Sequence, residues 1–224
     1  YNKFNIIKII KHFRKVKKKF GAMKNLILVG GGGHCLSCID IIEETKKFKI
    51  KGYIDNINKK INNYNYLGND KDLLKYSNKR YLIFLSVGQI KNSKNRELLF
   101  NNLLNRDYKF ATIISDRSYL SKNSIINNGS VIFRDVIINT DVVIGVNCII
   151  NNKALIEHGA KVGNHCHIST GAILNGDVSV GDNTFIGSGT IINEGIKIGN
   201  NCIVSSGLVI RKNIPTNSIV KKST

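Results

Sequence analysis

The groups with chemistry to offer in this 224-residue chain include five histidines, five cysteines and 15 carboxylates, and they are unevenly spaced. Glu157-His158-Gly159 comes first, because an imidazole with an ordinary pKa of about 6.5 accepts a proton near neutral pH, an effect worth roughly 10² to 10⁴ in rate. Asp141 and Asp177 stand eighteen residues before and after Gly159, and His165 and His167 follow closely. Three groups of small residues, Ser169-Thr170-Gly171, Gly187-Ser188-Gly189 and Ser205-Ser206-Gly207, are also eighteen apart. If that period is structural, they stack into a slot with room and backbone donors for an extended ligand. Near the start, Gly30 to Gly33 precede His34, with Asp55-Asn56 further on. Exposed amides at a helix start beside such a pair suit a phosphate or sugar hydroxyls.

Two other motifs read as packing. Gly30-x-Gly32-x-x-Cys35 lacks the third glycine of a dinucleotide fingerprint, which disfavours NAD. Cys35-x-x-Cys38 has the spacing of a redox pair without its usual context and is assigned to the core.

The elements that must position these groups fall into two halves. From Ile126 in steps of six come Ile132, Ile138, Ile144, Ile150 and so on to Ile210; all fifteen places hold Ile, Leu or Val. Over this lies a period of eighteen, Gly145, Gly163, Gly181 and Gly199, each followed two residues later by Asn147, His165, Asn183 or Asn201. Three hexads therefore make one coil, each giving a short strand with an inward aliphatic and a turn tolerant of left-handed angles. About five such coils, stacked roughly 4.8 Å apart, form a three-sided prism. Cys148, Cys166 and Cys202 fall in one inner column with Thr184, as buried thiols.

The first half reads as alternating α/β structure, hence a parallel sheet with a crevice at its carboxyl ends. Strands are predicted at 24–30, 50–54, 81–87 and 110–114, and helices at 35–45 and 93–105. The expected organisation is a leader 1–23, an α/β domain 24–118, a β-helix 119–214 and a tail 215–224.

Lys plus Arg outnumber Asp plus Glu by 34 to 15, yet eight bases and no acid lie within residues 1–23, and the last hundred residues carry eight bases and six acids. The excess is a leader and scattered lysines rather than a nucleic-acid-binding face. In the leader Ile6, Ile10, Phe13, Val16 and Phe20 alternate with bases as a basic amphipathic helix. It suits peripheral contact of residues 1–20 with an anionic membrane, docking on its own protein, or, with Gly21-Ala22 before Met23, a cloning remnant. Neither a spanning helix nor a signal peptide is read, so the cytoplasm is the expected compartment.

The hexad pattern resembles the hexapeptide-repeat left-handed parallel β-helix of bacterial acyltransferases; the resemblance, not the spacing, implies the handedness, a homotrimer and an acyl-CoA cleft between prisms. A Gly-rich turn ending in Gly-His, an acidic pair position after the second strand, a glycine after the third, and His158 followed by His167 are together similar to the sugar acetyltransferases of the PglD and NeuD type, over about residues 24–214. That resemblance implies a Rossmann-like α/β domain and His158 as proton acceptor. It places acetyl-CoA contacts at His167, Gly176, Ser188 and Ser206. Acceptor contacts fall on Gly32, Gly33, His34, Asp55, Asn56 and Gly88. The implied reaction is metal-free acetylation of a nucleotide-linked amino sugar, with Gly176 as an oxyanion donor; O-acetylation of a sialic acid is the alternative. Gly159 departs from the acid that many members have there, leaving Asp141, Asp177 or Glu157 to orient His158. Asn56 replaces the second acid, and the Asn-Pro-Ala segment is missing from residues 215–224. Two rivals remain: a γ-type carbonic anhydrase with zinc on His158, His165 and His167, whose spacing does not resemble that family's separated ligands, and a non-catalytic solenoid.

Overall fold

The computed structural model describes residues 23–90 and 93–221. The expected leader helix lies outside the described residues. The α/β half consists of β1 (Lys24–Val29), α1 (Gly33–Thr45), β2 (Phe48–Ile54), a 3-10 turn at Asp72–Lys75, β3 (Leu82–Leu85) and α2 (Lys94–Leu104). The three strands are parallel in the order β2-β1-β3. Leu26 to Val29 are buried without alternation, as a strand covered on both faces requires. From α1, Cys35, Cys38, Ile39, Ile41 and Ile42 close one side of the sheet, which is why the Cys pair is core. From β1 the chain passes to β2 on one side and then crosses back to β3 on the other, so the strand order reverses at β1 and the crevice opens at the carboxyl ends. Gly30 is required there: its φ is +108°, and a Cβ would lie 2.6 Å from Val87 Cγ2.

The predicted fourth strand is instead a hand-over. Phe110 makes one isolated bridge with Ile83, and Ala111 N–H donates to Ile83 O at 2.8 Å. Two residues on, Ile113 N–H donates to Ser130 O at 3.0 Å, and Ile113–Ile114 pairs with Val131–Ile132. The segment stops extending the first sheet because the coils offer it a new partner at once.

From there the chain winds as a parallel solenoid with three faces. Face one has seven strands, from Ile113–Ile114 to Ile219–Val220. Face two has six, from Tyr119–Leu120 to Val209–Ile210, and face three five, from Ile125–Ile126 to Lys197–Ile198. Strands at both ends of face one thus lie outside 119–214. Each strand pairs with the one eighteen residues on, for example Ile156 with Leu174, apart from the last pair on face one. The inward column from Ile132 to Ile210 is buried throughout. Fourteen sixth positions from Gly129 to Gly207 have positive φ; eight are not glycine, and of these all but Lys153 are Asp, Asn or His.

Inside one corner, Ser130, Cys148, Cys166, Thr184 and Cys202 do one job in turn. Each donates to a carbonyl in the next coil, at 2.8, 3.0, 3.0, 2.9 and 3.1 Å. All five cysteines are free and buried. The α/β half rests on the lower coils of face one, leaving Ile113, Val131 and Ile149 wholly buried, and Arg134 pairs with Glu44 of α1 at 2.6 Å. No described helix is long and apolar enough to cross a membrane.

Candidate active site

His158 sits two residues beyond the inward Ile156, on the edge between faces two and three. Its side chain is 64% exposed, and its Nδ1 lies 3.8 Å from Glu157 Oε2. Glu157 is in turn held by Asn139, whose Nδ2 donates to Oε2 at 2.7 Å. Asp141 and Asp177 do occupy the coils below and above Gly159: Gly159 N–H donates to Thr140 O at 3.1 Å, and Asp177 N–H to His158 O at 2.9 Å. Among the described residues neither makes an ion pair with the imidazole; Glu157 does. The ring instead packs on Gly176, eighteen residues on, where a Cβ would lie 2.8 Å from both Cε1 and Nε2. Gly176 N–H donates no hydrogen bond among the described residues.

The small-residue slot stands elsewhere. Ser169, Ser188 and Ser206 lie on the edge between faces one and two, so the whole of face two separates them from His158. Ser188 and Ser206 are exposed, Ser169 Oγ meets Ser188 Oγ at 2.8 Å, and a Cβ at Gly171, Gly189 or Gly207 would meet nothing within 4 Å. The sequence held the clue, since His158 and Ser188 do not differ by a multiple of eighteen. Between the two edges, face two turns Tyr119, Ile137, Leu155, Ile173, Ile191 and Val209 outward in one column.

His167 stands apart from both edges. Only 6% exposed, it points from face one toward the α/β half: Nδ1–H donates to Gln89 O, Nε2 faces Asn151 Nδ2 at 3.4 Å, and Phe185 meets the ring edge-on. Burial first, and Arg96 second, lower its pKa to about 4 despite that bond. His165 is buried too, with Nδ1 at 2.9 Å from Asn147 Nδ2. The three solenoid histidines therefore do not converge, and no group of three or more His, Cys, Asp or Glu among the described residues could hold a metal.

At the crevice, Gly32 caps α1 without any side-chain cap, leaving the amides at the start of the helix without an intrahelical partner. The Asp55 carboxylate is spent inside the protein, accepting from Gly31 N–H at 2.5 Å and Ile57 N–H at 3.0 Å. It fixes the turn, while Asn56 stays exposed. His34 packs beside Phe133 with ring centroids 5.5 Å apart, and a Cβ on Gly88 would lie 3.2 Å from His34 Cβ. Burial, then Arg96 and His167, lower the His34 pKa to about 3, so the ring is neutral; its buried Nε2 has no partner among the described residues. Sequence reasoning missed Gln89 and Arg96, which bind this crevice to the coils; no motif marks either.

Residues 25–103 match the PglD N-terminal domain, and residues 135–175 and 177–212 match the hexapeptide repeat of succinyl-transferase. Comparison with curated proteins gives no match. Among solved structures, the acetyltransferase domain of PglB from Neisseria gonorrhoeae FA1090, in complex with acetyl coenzyme A, has a TM-score of 0.83 at 23% identity, covering 88% of this chain and 96% of that one. PerB from Caulobacter crescentus, in complex with CoA and GDP-perosamine, has a TM-score of 0.82 at 24% identity, covering 88% and 94%. WeeI from Acinetobacter baumannii AYE has a TM-score of 0.80 at 20% identity, covering 89% and 97%. At these identities the likeness is one of fold. The chain thus carries, in order, a segment that matches the PglD N-terminal domain and coils that match a hexapeptide repeat.

Proposed function

We propose that this protein is an acetyl-CoA-dependent acetyltransferase, acting as a homotrimer on the amino group of a nucleotide-linked sugar of the UDP- or GDP-4-amino-4,6-dideoxy type. The product would serve a bacterial surface glycan or glycoprotein, with the cytoplasm as the compartment. The observation that carries this reading is an exposed imidazole packed on a glycine with an uncommitted N–H, at the rim of an apolar face whose other rim is an open slot. The structures of like fold support the substrate classes through the acetyl coenzyme A, CoA and GDP-perosamine they are described as binding.

Face two supports the assembly. Its outward column of six large apolar side chains, with Tyr119 at 59% and Ile137 and Val209 at 42% exposure, calls for a covering surface. A second copy seated there brings its own edge alongside, and a ring of three copies is what the resemblance to the hexapeptide-repeat acyltransferases implies. Base and slot, a face apart within one subunit, then meet between two. From His158 to Ser206 the coils rise by about 13 Å at roughly 4.8 Å each, so the slot runs away from the base along the prism.

In the reaction, the neutral amine of the acceptor attacks the thioester carbonyl, forming the C–N bond. The Gly176 N–H donates to the oxyanion, and His158 takes the proton leaving nitrogen. The C–S bond then breaks; the CoA thiolate takes the proton from the imidazolium, giving amide and free thiol. Glu157 orients the ring and stabilises its charged form, while Asp141 and Asp177 add negative potential above and below. The amides of Gly32, Gly33 and His34 hold the acceptor phosphates, flanked by Asn56 and Gly88 and shaped by Asp55. Ser188 and Ser206 line the coenzyme slot, and His167, with both nitrogens engaged, acts on it through the coil it braces.

Acetyl-CoA supplied with UDP- and GDP-linked amino sugars, and separately with sialic acid, tests this by thiol release. His158→Ala should lower turnover by about 10² or more with the trimer intact. Full activity in that variant removes the mechanism, and turnover with sialic acid alone replaces the amine by a hydroxyl.

A further inference from the structure

After β3 the chain runs from Ser86 to Ile90 without helix or strand. This segment carries Gly88 over His34, so its path sets the width of the crevice. Two side chains hold it. Arg96, in the first turn of α2, is 1% exposed; its Nη1 donates to both Leu85 O and Val87 O at 2.6 Å, and its Nε to Asn147 O, on a solenoid corner, at 3.4 Å. Gln89 Nε2 donates to His165 O at 2.7 Å, and Gln89 O accepts from His167 Nδ1–H. Asn147 and His165 are successive members of one corner column, bonded to each other at 2.9 Å. Leu85, Val87 and Gln89 are thus tied to two adjacent coils.

The way Arg96 is buried sets it apart from ordinary packing. No carboxylate among the described residues pairs with it, and burial lowers its pKa to about 10. An unpaired buried charge is costly, and an apolar residue of like volume would pack there at less expense to stability. The guanidinium holds the segment's two carbonyls from Nη1 and the solenoid carbonyl from a second nitrogen, Nε, a span that the single nitrogen of an ammonium does not reach, while Nη2 stays buried without a partner among the described residues.

We propose that Arg96 is a positioning residue for the acceptor, fixing Gly88 and His34 relative to the coils that carry the transfer chemistry. This role rests on the reading of the crevice as the acceptor site. Lysine keeps the charge but not the span, so Arg96→Lys is the informative change, with Gln89→Met as a milder second variant. The readouts are separate KM values for acetyl-CoA and for the acceptor probes GDP-perosamine and a UDP-linked 4-amino-4,6-dideoxy sugar, with Tm alongside. The expected result is an acceptor KM raised by about tenfold in Arg96→Lys and about threefold in Gln89→Met, with the acetyl-CoA KM within about twofold of the unaltered protein. A purely structural role would lower Tm and the active fraction without this split. An unchanged acceptor KM in whichever variant folds, or both KM values rising together, overturns the role of Arg96 while acetyl transfer stands. Absence of turnover with either probe in the unaltered protein overturns the crevice reading, and this role with it.

Discussion

Replacing Gly176 by alanine separates catalysis from stability at one position. Gly176 lacks a positive φ, so alanine suits its backbone, but the new Cβ would lie 2.8 Å from Cε1 and Nε2 of His158. Carbon contacts settle at about 3.5–4.0 Å, so the ring must retreat by about 1 Å. The ring is exposed and ends a flexible side chain, so the retreat costs folding little. Catalysis tolerates it poorly, since a misplacement of about 1 Å can cost about 10²-fold, equivalent to about 2.7 kcal/mol of barrier. Gly176→Ala should therefore keep its Tm within a few degrees, roughly the effect of 1 kcal/mol or less, while kcat falls by about 10- to 100-fold. In a His158→Ala background the same change should add almost nothing, because both act on one group. Unaltered kcat in the folded Gly176→Ala protein, or independent multiplication of the two losses, would refute the pairing of ring and glycine.

Further outcomes follow from the faces and the buried histidines. Ile173→Asp, in the middle of the outward column of face two, should leave a folded monomer in sedimentation and abolish transfer, whereas an unchanged oligomer would place the subunit contact on another face. His34 and His167, next to Arg96 and to each other, have pKa values of about 3 and about 4, below the ordinary 6.5. The unfolded chain therefore binds protons that the folded one refuses. Stability should be greatest above pH 6.5 and fall as pH drops from 6.5 toward about 4 for His167 and about 3 for His34, by up to about 1.4 kcal/mol per pH unit for each histidine. A Tm series over that window checks this, and His167→Gln should flatten it.

How far the sequence could be read depended on whether a signal recurs. The coils were legible because the aliphatic residue returns every sixth place and its turn tolerates positive φ; Asn147, His165, Asn183 and Asn201 all have it. The strand-to-helix turn was legible through Gly30 to His34, where the glycines end β1 and open α1. Phe110–Ile114 misled because an apolar run pairs with whichever edge is nearer, and the coil edge was. No motif marks Arg96 in the sequence, because only the meeting of two domains buries it. His167 shares its outward register with Phe185, yet its exposure is set by the domain covering face one rather than by its own coil.

The constant hexad also restricts how the chain length can change. Because side chains alternate in and out along each strand, inserting one residue would turn the following aliphatics to the outside until the phase recovered, and six would shift every later coil round by a face. Only eighteen preserve all three faces, raising the upper slot by one step of roughly 4.8 Å while His158 keeps its place below. On the proposed reading, the reach from base to slot is thus quantised, changing by a whole turn rather than by gradual adjustment.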